Sequence, residues 1–366
     1  MPTISFFIII AVIIFIMKNN NTYIIGEIGQ NHNGSVEVAK VIIDLISREI
    51  KDDVFGNILK GMDAVKLTKR DLTCELSNSQ MQRPYNSPHS FGSTYGEHRE
   101  FLELSDEEHF DVYKYAKSKG LDFVETLCST STLTLLKKFT PDKLKVASRD
   151  LTNLPLLEAL SETKLPIILS TGMAGIKELE DALKIITKNH SDISILHCIS
   201  QYPTEPQNVN LKTITYLLKN YAHYTIGYSD HTIGISTPVA AVALGARIIE
   251  KHITLDRRMK GTDQAGSLGP DGVYRMVRDI RILDKSLGRE DFFISEGSAS
   301  SQKKLERSIA TKRKMKKGEI ITIEDLHLLS PGDGVKWKNI NLLIGKRLLF
   351  DIDENEIIYL SQIEND

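Results

Sequence analysis

After residue 20 the chain alternates short β-like runs with longer stretches of helical periodicity. Eight β-like runs are recognisable, at residues 23–27, 64–67, 123–126, 144–147, 167–170, 193–197, 225–227 and 247–250. Amphipathic helical patterns separate most of them, for example at 36–50, 106–120, 154–163, 176–189 and 209–220. Eight strands that alternate with helices over roughly 250 residues predict an α/β fold, a (β/α)8 TIM barrel. A doubly wound open sheet is the alternative, although no GxGxxG motif follows the first run.

The pattern changes after Gly288. Residues 289–306 mix polar residues with Gly and Ser and are typical of a linker. Residues 307–366 contain short strand-like runs and turn signals, which predict a small β-rich domain of feasible size. The predicted organisation is therefore an apolar extension at 1–20, a barrel at 21–288, a linker at 289–306 and a small domain at 307–366.

Charge and cysteine content narrow the class of protein. Lys plus Arg number 46 and Asp plus Glu number 48, so the net charge is −2. Nucleic-acid-binding domains usually carry a basic excess, and we expect no nucleic-acid partner. The three cysteines are scattered and form no CxxC motif, which is typical of free thiols in a reducing compartment. We therefore expect a cytoplasmic protein.

A run of twelve apolar residues, Phe6 to Met17, contrasts with this composition. A membrane-spanning helix needs about 20 apolar residues, and this run is shorter. No Lys or Arg precedes it and no A-x-A site follows it, as a signal peptide would require. A weak membrane anchor, a cleaved targeting segment and sequence upstream of a true start at Met17 remain as interpretations. The last is favoured, because the first strand pattern begins soon after Met17, and a membrane partner is not expected.

Polar residues follow the predicted strands at the end where TIM barrels place their chemistry. Lys66 and Lys145 lie within apolar strands, where a buried cation needs an anion beside it. Nearby hydroxyl groups would let these lysines hold a phosphate and a carboxylate; they belong to Thr126, Ser148, Ser170 and Ser229. A salt bridge to a neighbouring strand, a snorkelling side chain and a Schiff-base lysine are the alternatives.

Two histidines and two carboxylates complete the set of candidate groups. His231 and His252 lie at adjacent strand ends and could bind a divalent metal ion, with water and substrate completing its coordination. Glu27 and Asp263 are candidates for acid–base chemistry or for hydrogen bonds to sugar hydroxyls.

Several long motifs resemble the sialic acid synthase family, whose members condense phosphoenolpyruvate with an N-acetylated hexosamine. The tail at 307–326 and the SPGDG motif at 330–334 resemble that family's antifreeze-like (SAF) domain. The resemblance extends from about residue 22 to the C-terminus. The motifs in the barrel region are IIGEIGQNHNGS at 24–35, AVKL at 64–67, SFGSTYGEHREFLELS at 90–105, LKVASRDLTNLPLL at 144–157, PIILSTGM at 166–173, LHCISQYPT at 196–204, IGYSDHT at 226–232, EKHITLD at 250–256 and GTDQAGSLGP at 261–270.

The resemblance implies a role for each candidate residue. It places Glu27 near the reacting carbons, Tyr202 and Asp263 against the sugar, and His231 and His252 on a divalent metal ion. Mn²⁺ is the expected ion, with Mg²⁺ or Co²⁺ as alternatives. The resemblance also implies a domain-swapped homodimer. The resemblance assigns phosphoenolpyruvate binding to Lys66, Thr126, Lys145, Ser148, Ser170 and Ser229.

Four positions depart from the family pattern. Thr68 stands where many members have Gln, and Ser330 stands where many have an Arg that reaches the partner's sugar. Asp150 and Ser200 occupy substrate-binding positions where Glu and Asn are common. The acceptor is therefore N-acetylmannosamine or a 2,4-diacetamido-6-deoxy hexose that leads to a legionaminic- or pseudaminic-type acid. A metal-dependent hydrolase and a non-catalytic sugar-binding protein are the rival classes.

Overall fold

The computed structural model of the protein describes residues 21–51 and 55–364, so the apolar run at 6–17 lies outside the described residues. Eight parallel strands form a closed barrel, in which β1 pairs with both β2 and β8. This closure confirms the predicted TIM barrel and excludes the open sheet. The barrel strands are β1 (Tyr23–Gly29), β2 (Ala64–Lys69), β3 (Asp122–Leu127), β4 (Lys143–Val146), β5 (Ile167–Ser170), β6 (Ile193–Cys198), β7 (Thr225–Asp230) and β8 (Ile248–His252).

Helices before Gly288 connect the strands and cover the outside of the barrel, and α11 belongs to the second unit described below. Between β3 and β4 the connection is a 3-10 helix, Thr130–Lys137. The α-helices are α1 (Val36–Ile46), α2 (Leu72–Glu75), α3 (Asn78–Met81), α4 (Tyr95–Leu102), α5 (Asp106–Ser118), α6 (Leu154–Glu162), α7 (Ile176–Ile186), α8 (Lys212–Asn220), α9 (Ser236–Ala243), α10 (Pro270–Ser286) and α11 (Ala299–Leu305).

Helix α1 shows why these segments become helices, and where periodicity misleads. Its N-cap Ser35 accepts a hydrogen bond from the Val38 N–H, and its apolar residues recur at helical spacing on the buried face. The helical pattern at 36–50 is nevertheless too long, because α1 ends at Ile46. Ile50–Lys51 instead pairs with Ile58–Leu59 in a short antiparallel ribbon, where Ile50 is buried.

Two apolar layers position the functional side chains. The larger layer lies between the outside of the barrel and the surrounding helices. The smaller layer lies inside the barrel, where side chains from six of the eight strands form an apolar floor. These floor residues are Ile25, Ala64, Val124, Ile168, Leu196 and Ile248.

A second compact unit begins at Arg289 and has its own apolar core. Strand β9 (Ser308–Thr311) pairs antiparallel with β10 (Leu326–Leu329). Within the segment predicted as a linker, residues 299–305 form the exposed helix α11. No helix within the described ranges has the length and apolar composition that a membrane crossing requires.

Candidate active site

A ring of polar side chains lies directly above the apolar floor of the barrel. Successive residues of a strand point to opposite faces, so a residue two positions after a floor residue points back into the barrel. Six strands place a polar or sulfur-containing side chain at that position. These residues are Glu27, Lys66, Thr126, Ser170, Cys198 and Glu250.

The three charged residues of this ring and Lys145 of β4 form one buried ion-pair network. Lys66 Nζ is 2.9 Å from Glu27 Oε2 and 3.8 Å from Glu250 Oε1. Lys145 Nζ is 3.3 and 3.2 Å from the two carboxylate oxygens of Glu250. The hydroxyl of Ser229 donates to the same carboxylate, at 3.0 Å. Glu250 therefore forms ion pairs with both lysines. In the protein without a ligand, the two lysines thus make salt bridges to neighbouring strands, which was one of the alternatives for them.

The pKa values of the two carboxyl groups in the network shift in opposite directions. Burial raises the pKa of Glu27 to about 7, although Lys66 opposes this change. Burial would also raise the pKa of Glu250, but Lys145 and Lys66 together lower it to about 2. Glu27 can therefore exchange a proton near neutral pH, whereas Glu250 stays ionised.

Above the ring lies a cavity of about 250 Å³, and twelve of the thirteen predicted site residues line it. Ser170 Oγ is buried there without a hydrogen-bond partner. The twelve residues are Glu27, Lys66, Thr126, Lys145, Ser148, Ser170, Ser200, Tyr202, Ser229, His231, His252 and Asp263.

Asp150 is the predicted site residue that the structure does not bring to this cavity. Residues Ser148–Asp150 form one turn of 3-10 helix after β4. This turn leaves Ser148 in the cavity but carries Asp150 into an adjacent recess. There the Asp150 carboxylate lies 3.3 Å from Arg149 Nε. Of the residues that depart from the family pattern, Thr68 and Ser200 line the cavity.

The two histidines have the chemistry that a metal ion needs. Their ring centroids are 5.5 Å apart, and Tyr202 packs against His231. His231 Nδ1 donates to the Ile199 carbonyl at 2.8 Å, so its Nε2 keeps a free lone pair. His252 Nδ1 is buried without a partner, and burial lowers the pKa of this imidazole. The described residues contain no group of three or more potential ligands, so the pair fits a metal ion that is also held by water or substrate.

Four further charged residues line the cavity without having been predicted as site residues. Glu250 had a sequence signal, because it lies two residues after the floor residue Ile248. Arg70 and Arg149 each lie four residues after a predicted lysine. Arg99 lies on α4, outside the strand-end pattern, and it reaches the cavity through a contact with Gln30.

Family models match most of the chain. A model described as the NeuB family matches residues 57–292, and a model described as the SAF domain matches residues 306–364. The first match lies within the barrel unit, except that the last four residues of the match, 289–292, belong to the smaller unit. The second match covers most of the smaller unit.

Individual relatives agree with these matches. The N-acetylneuraminate-9-phosphate synthase of Homo sapiens is 33% identical over 94% of this chain and 93% of its own length. The N,N'-diacetyllegionaminic acid synthase of Legionella pneumophila is also 33% identical, over 93% of this chain and 94% of its own length. The crystal structure of an N-acetylneuraminic acid synthetase from Leptospira borgpetersenii, in complex with citrate, superposes with a TM-score of 0.63. It is 32% identical and covers 77% of this chain and 90% of that chain. The chain therefore belongs to the NeuB family, the sialic acid synthase family that its motifs indicated, and carries a C-terminal SAF domain.

Proposed function

We propose that the protein condenses phosphoenolpyruvate with the open-chain aldehyde of an acceptor of the N-acetylmannosamine type. C3 of phosphoenolpyruvate bonds to C1 of the aldehyde, and a water oxygen bonds to C2. The bond between C2 and the phosphate oxygen breaks, which releases phosphate and a nine-carbon keto acid. One proton of the water ends on the new hydroxyl group and the other on the phosphate.

The observation that carries this proposal is the pair of buried lysines in a cavity that is also lined by several hydroxyl groups. Lys66 Nζ already donates to Thr126 Oγ1 at 3.2 Å, and the unpartnered Ser170 hydroxyl faces the same space. Two cations and several hydroxyl donors suit the phosphate and the carboxylate of one small substrate. Glu27, with its raised pKa, is placed to orient the water and to accept its proton.

The direct test is a condensation assay on the full-length protein with Mn²⁺, phosphoenolpyruvate and N-acetylmannosamine. We expect phosphate release that depends on the acceptor, and a keto acid of the matching mass. In H₂¹⁸O the released phosphate should stay unlabelled, because the carbon–oxygen bond breaks. A panel that includes a 2,4-diacetamido-6-deoxy hexose identifies the acceptor. Absence of a keto acid with every acceptor, or phosphate release without one, would contradict the proposal.

We further propose that His231 and His252 hold a divalent metal ion, with Mn²⁺ as the best candidate. When bound there, such an ion would polarise the aldehyde oxygen of the acceptor. The homodimer that the resemblance implies stays a prediction, which the mass of the protein in solution tests.

Removal of one histidine should weaken metal binding strongly, because the proposed site takes two of its protein ligands, His231 and His252, from the described residues. We expect His252→Ala to reduce Mn²⁺ affinity by about 100-fold. The paramagnetic resonance signal of free Mn²⁺ measures that affinity without any assay of activity. The exposed His223 supplies the matched control, His223→Ala. Equal Mn²⁺ binding by the two variants would count against the metal site.

A further inference from the structure

A buried ion pair joins the ends of β7 and β8 on the outer face of the barrel. Asp230 of β7 and Lys251 of β8 are register partners, and each immediately precedes one of the two histidines that line the cavity. Successive residues of a strand point to opposite faces, so the charged side chains point outward and the imidazoles inward. Lys251 Nζ lies 2.5 Å from Asp230 Oδ2, and neither side chain is exposed. The pair therefore lies directly behind the proposed metal ligands.

The same pair also holds the backbone beside the first histidine. Asp230 Oδ1 accepts hydrogen bonds from the Tyr228 hydroxyl and from the Thr232 N–H, each at 2.9 Å. Asp230 Oδ2 accepts a hydrogen bond from the Thr232 hydroxyl at 3.1 Å. Lys251 Nζ donates to the carbonyl oxygen of Thr232. Because Asp230 and Thr232 flank His231 in the chain, this network fixes the backbone on both sides of that histidine.

Backbone hydrogen bonds tie each histidine to a different neighbouring segment. The carbonyl oxygen of His231 accepts from the Thr204 N–H, and that of His252 accepts from the Leu268 N–H, both at 2.9 Å. These bonds hold each histidine, but they run to separate loops and do not set the distance between the two rings. The ion pair does join the two strands, one residue before each histidine.

The burial of this ion pair is better explained by register than by stability. Both charges lose their hydration, and replacing a buried ion pair with apolar residues of similar volume is often neutral or stabilising. Apolar residues would fit here, because the outward-facing Tyr228 and Ile249 belong to the apolar layer between the strands and the helices. A charged pair, however, specifies one alignment of the two strands. A slip of β8 by one residue would turn His252 out of the cavity.

We infer that Asp230 and Lys251 are positioning residues that set the separation of the His231 and His252 imidazoles, and with it the affinity of the site for a divalent metal ion. The inference rests on the proposed metal site and assigns to it two residues that face away from the cavity. The two ring centroids are 5.5 Å apart. Because the two ligands come from neighbouring strands, a shift between these strands moves one ligand relative to the other.

The test is Mn²⁺ binding by the full-length double variant Asp230→Asn with Lys251→Met, which removes both charges and nearly keeps the side-chain volumes. Measured from the paramagnetic resonance signal of free Mn²⁺, its affinity should be about 10- to 100-fold lower than that of the wild-type protein. Pulsed paramagnetic resonance of bound Mn²⁺ detects the nitrogen nuclei of coordinated imidazoles. We expect couplings from two imidazoles in the wild-type protein and from one in the double variant.

A second largely buried ion pair supplies the matched control. Arg281 Nη2 lies 2.7 Å from Asp63 Oδ2, and Asp63 precedes β2, at the end of the barrel opposite to the histidines. The double variant Asp63→Asn with Arg281→Met loses the same number of charges. We expect its Mn²⁺ affinity to stay within about twofold of the wild-type value, with couplings from both imidazoles, even where its Tm falls.

Wild-type affinity and two imidazole couplings in Asp230→Asn with Lys251→Met would overturn the inference and leave the metal site standing. An equal loss of affinity in the control variant would also overturn it, because the effect would then be general destabilisation. If His252→Ala binds Mn²⁺ as well as the wild-type protein does, the proposed metal site itself fails, and the inference fails with it. The condensation assay on the wild-type protein tests the proposed reaction separately.

A milder variant decides the question if thermal unfolding shows that the double variant does not fold. The Thr237 hydroxyl donates to Asp230 Oδ2 at 3.2 Å, and Thr237→Val removes this hydrogen bond while it keeps both charges. We expect Thr237→Val to lower Mn²⁺ affinity by about threefold, in line with the loss of one hydrogen bond. Unchanged affinity and unchanged imidazole couplings in this variant would overturn the inference.

Discussion

Replacement of Glu27 by glutamine is expected to lower kcat by about a thousand-fold, a loss typical of a missing acid–base group. Glutamine keeps the shape of the side chain and can still accept a hydrogen bond from Lys66, whose Nζ lies 2.9 Å away. It cannot take up the proton that Glu27, with a pKa of about 7, exchanges near neutral pH. Steady-state kinetics measure the effect, and calorimetry shows whether phosphoenolpyruvate still binds.

The same residue should couple substrate binding to proton uptake. Without a ligand, two lysines and two carboxylates balance each other, so an anionic ligand brings an excess of negative charge. Glu27 relieves this excess by taking a proton, because Glu250 has a pKa of about 2. In the proposed reaction Glu27 gives this proton to the aldehyde oxygen, and it then accepts one from the attacking water. The affinity for phosphoenolpyruvate should therefore fall as the pH rises above about 7.

Calorimetry in buffers of different ionisation enthalpy separates this uptake from the titration of the ligand itself. Above pH 7 we expect net proton uptake in wild-type protein, and little or none in Glu27→Gln. Equal proton uptake by both proteins, or a variant that keeps more than about a tenth of kcat, would contradict the acid–base role. In that case Glu27 would serve only to balance the charge of Lys66.

The strands and the two buried lysines could be predicted from the sequence because both follow local rules. Runs of apolar, β-branched residues mark the strands, and a period of two relates the floor residue Ile25 to Glu27. Even Glu250 follows this rule. The rule also places Lys66 of β2 beside Glu27 of β1, as the register shows.

The arginines of the cavity could not be predicted in this way, since their placement depends on tertiary contacts. Arg99 reaches the cavity through Gln30, which is 69 residues away in the chain. Asp150 illustrates the reverse case, because one turn of 3-10 helix moves its side chain out of the cavity that Ser148 lines. Strand periodicity ends where the strand ends, and beyond that point loop geometry decides which side chains face the substrate.

The stability of the ligand-free protein should depend strongly on Glu250, because this carboxylate joins both lysines. Glu250→Gln leaves Lys66 and Lys145 buried with Glu27 as their remaining counter-charge. Loss of one partner from a buried ion pair typically destabilises a protein by about 3–5 kcal/mol. We expect a loss of this size in the free energy of unfolding, measured by denaturant titration.

Two comparisons distinguish this electrostatic effect from a simple packing defect. Phosphoenolpyruvate should raise the Tm of Glu250→Gln more than that of the wild-type protein, because the ligand replaces the missing negative charge. The double variant Lys145→Met with Glu250→Gln should be more stable than Glu250→Gln alone, since it removes one unpaired cation as well. If the double variant is as unstable as the sum of the two single variants, the charges do not interact and the network has no role in stability. If the double variant recovers stability, the ligand-free protein uses Glu250 as the internal counter-ion of a site built for an anionic substrate.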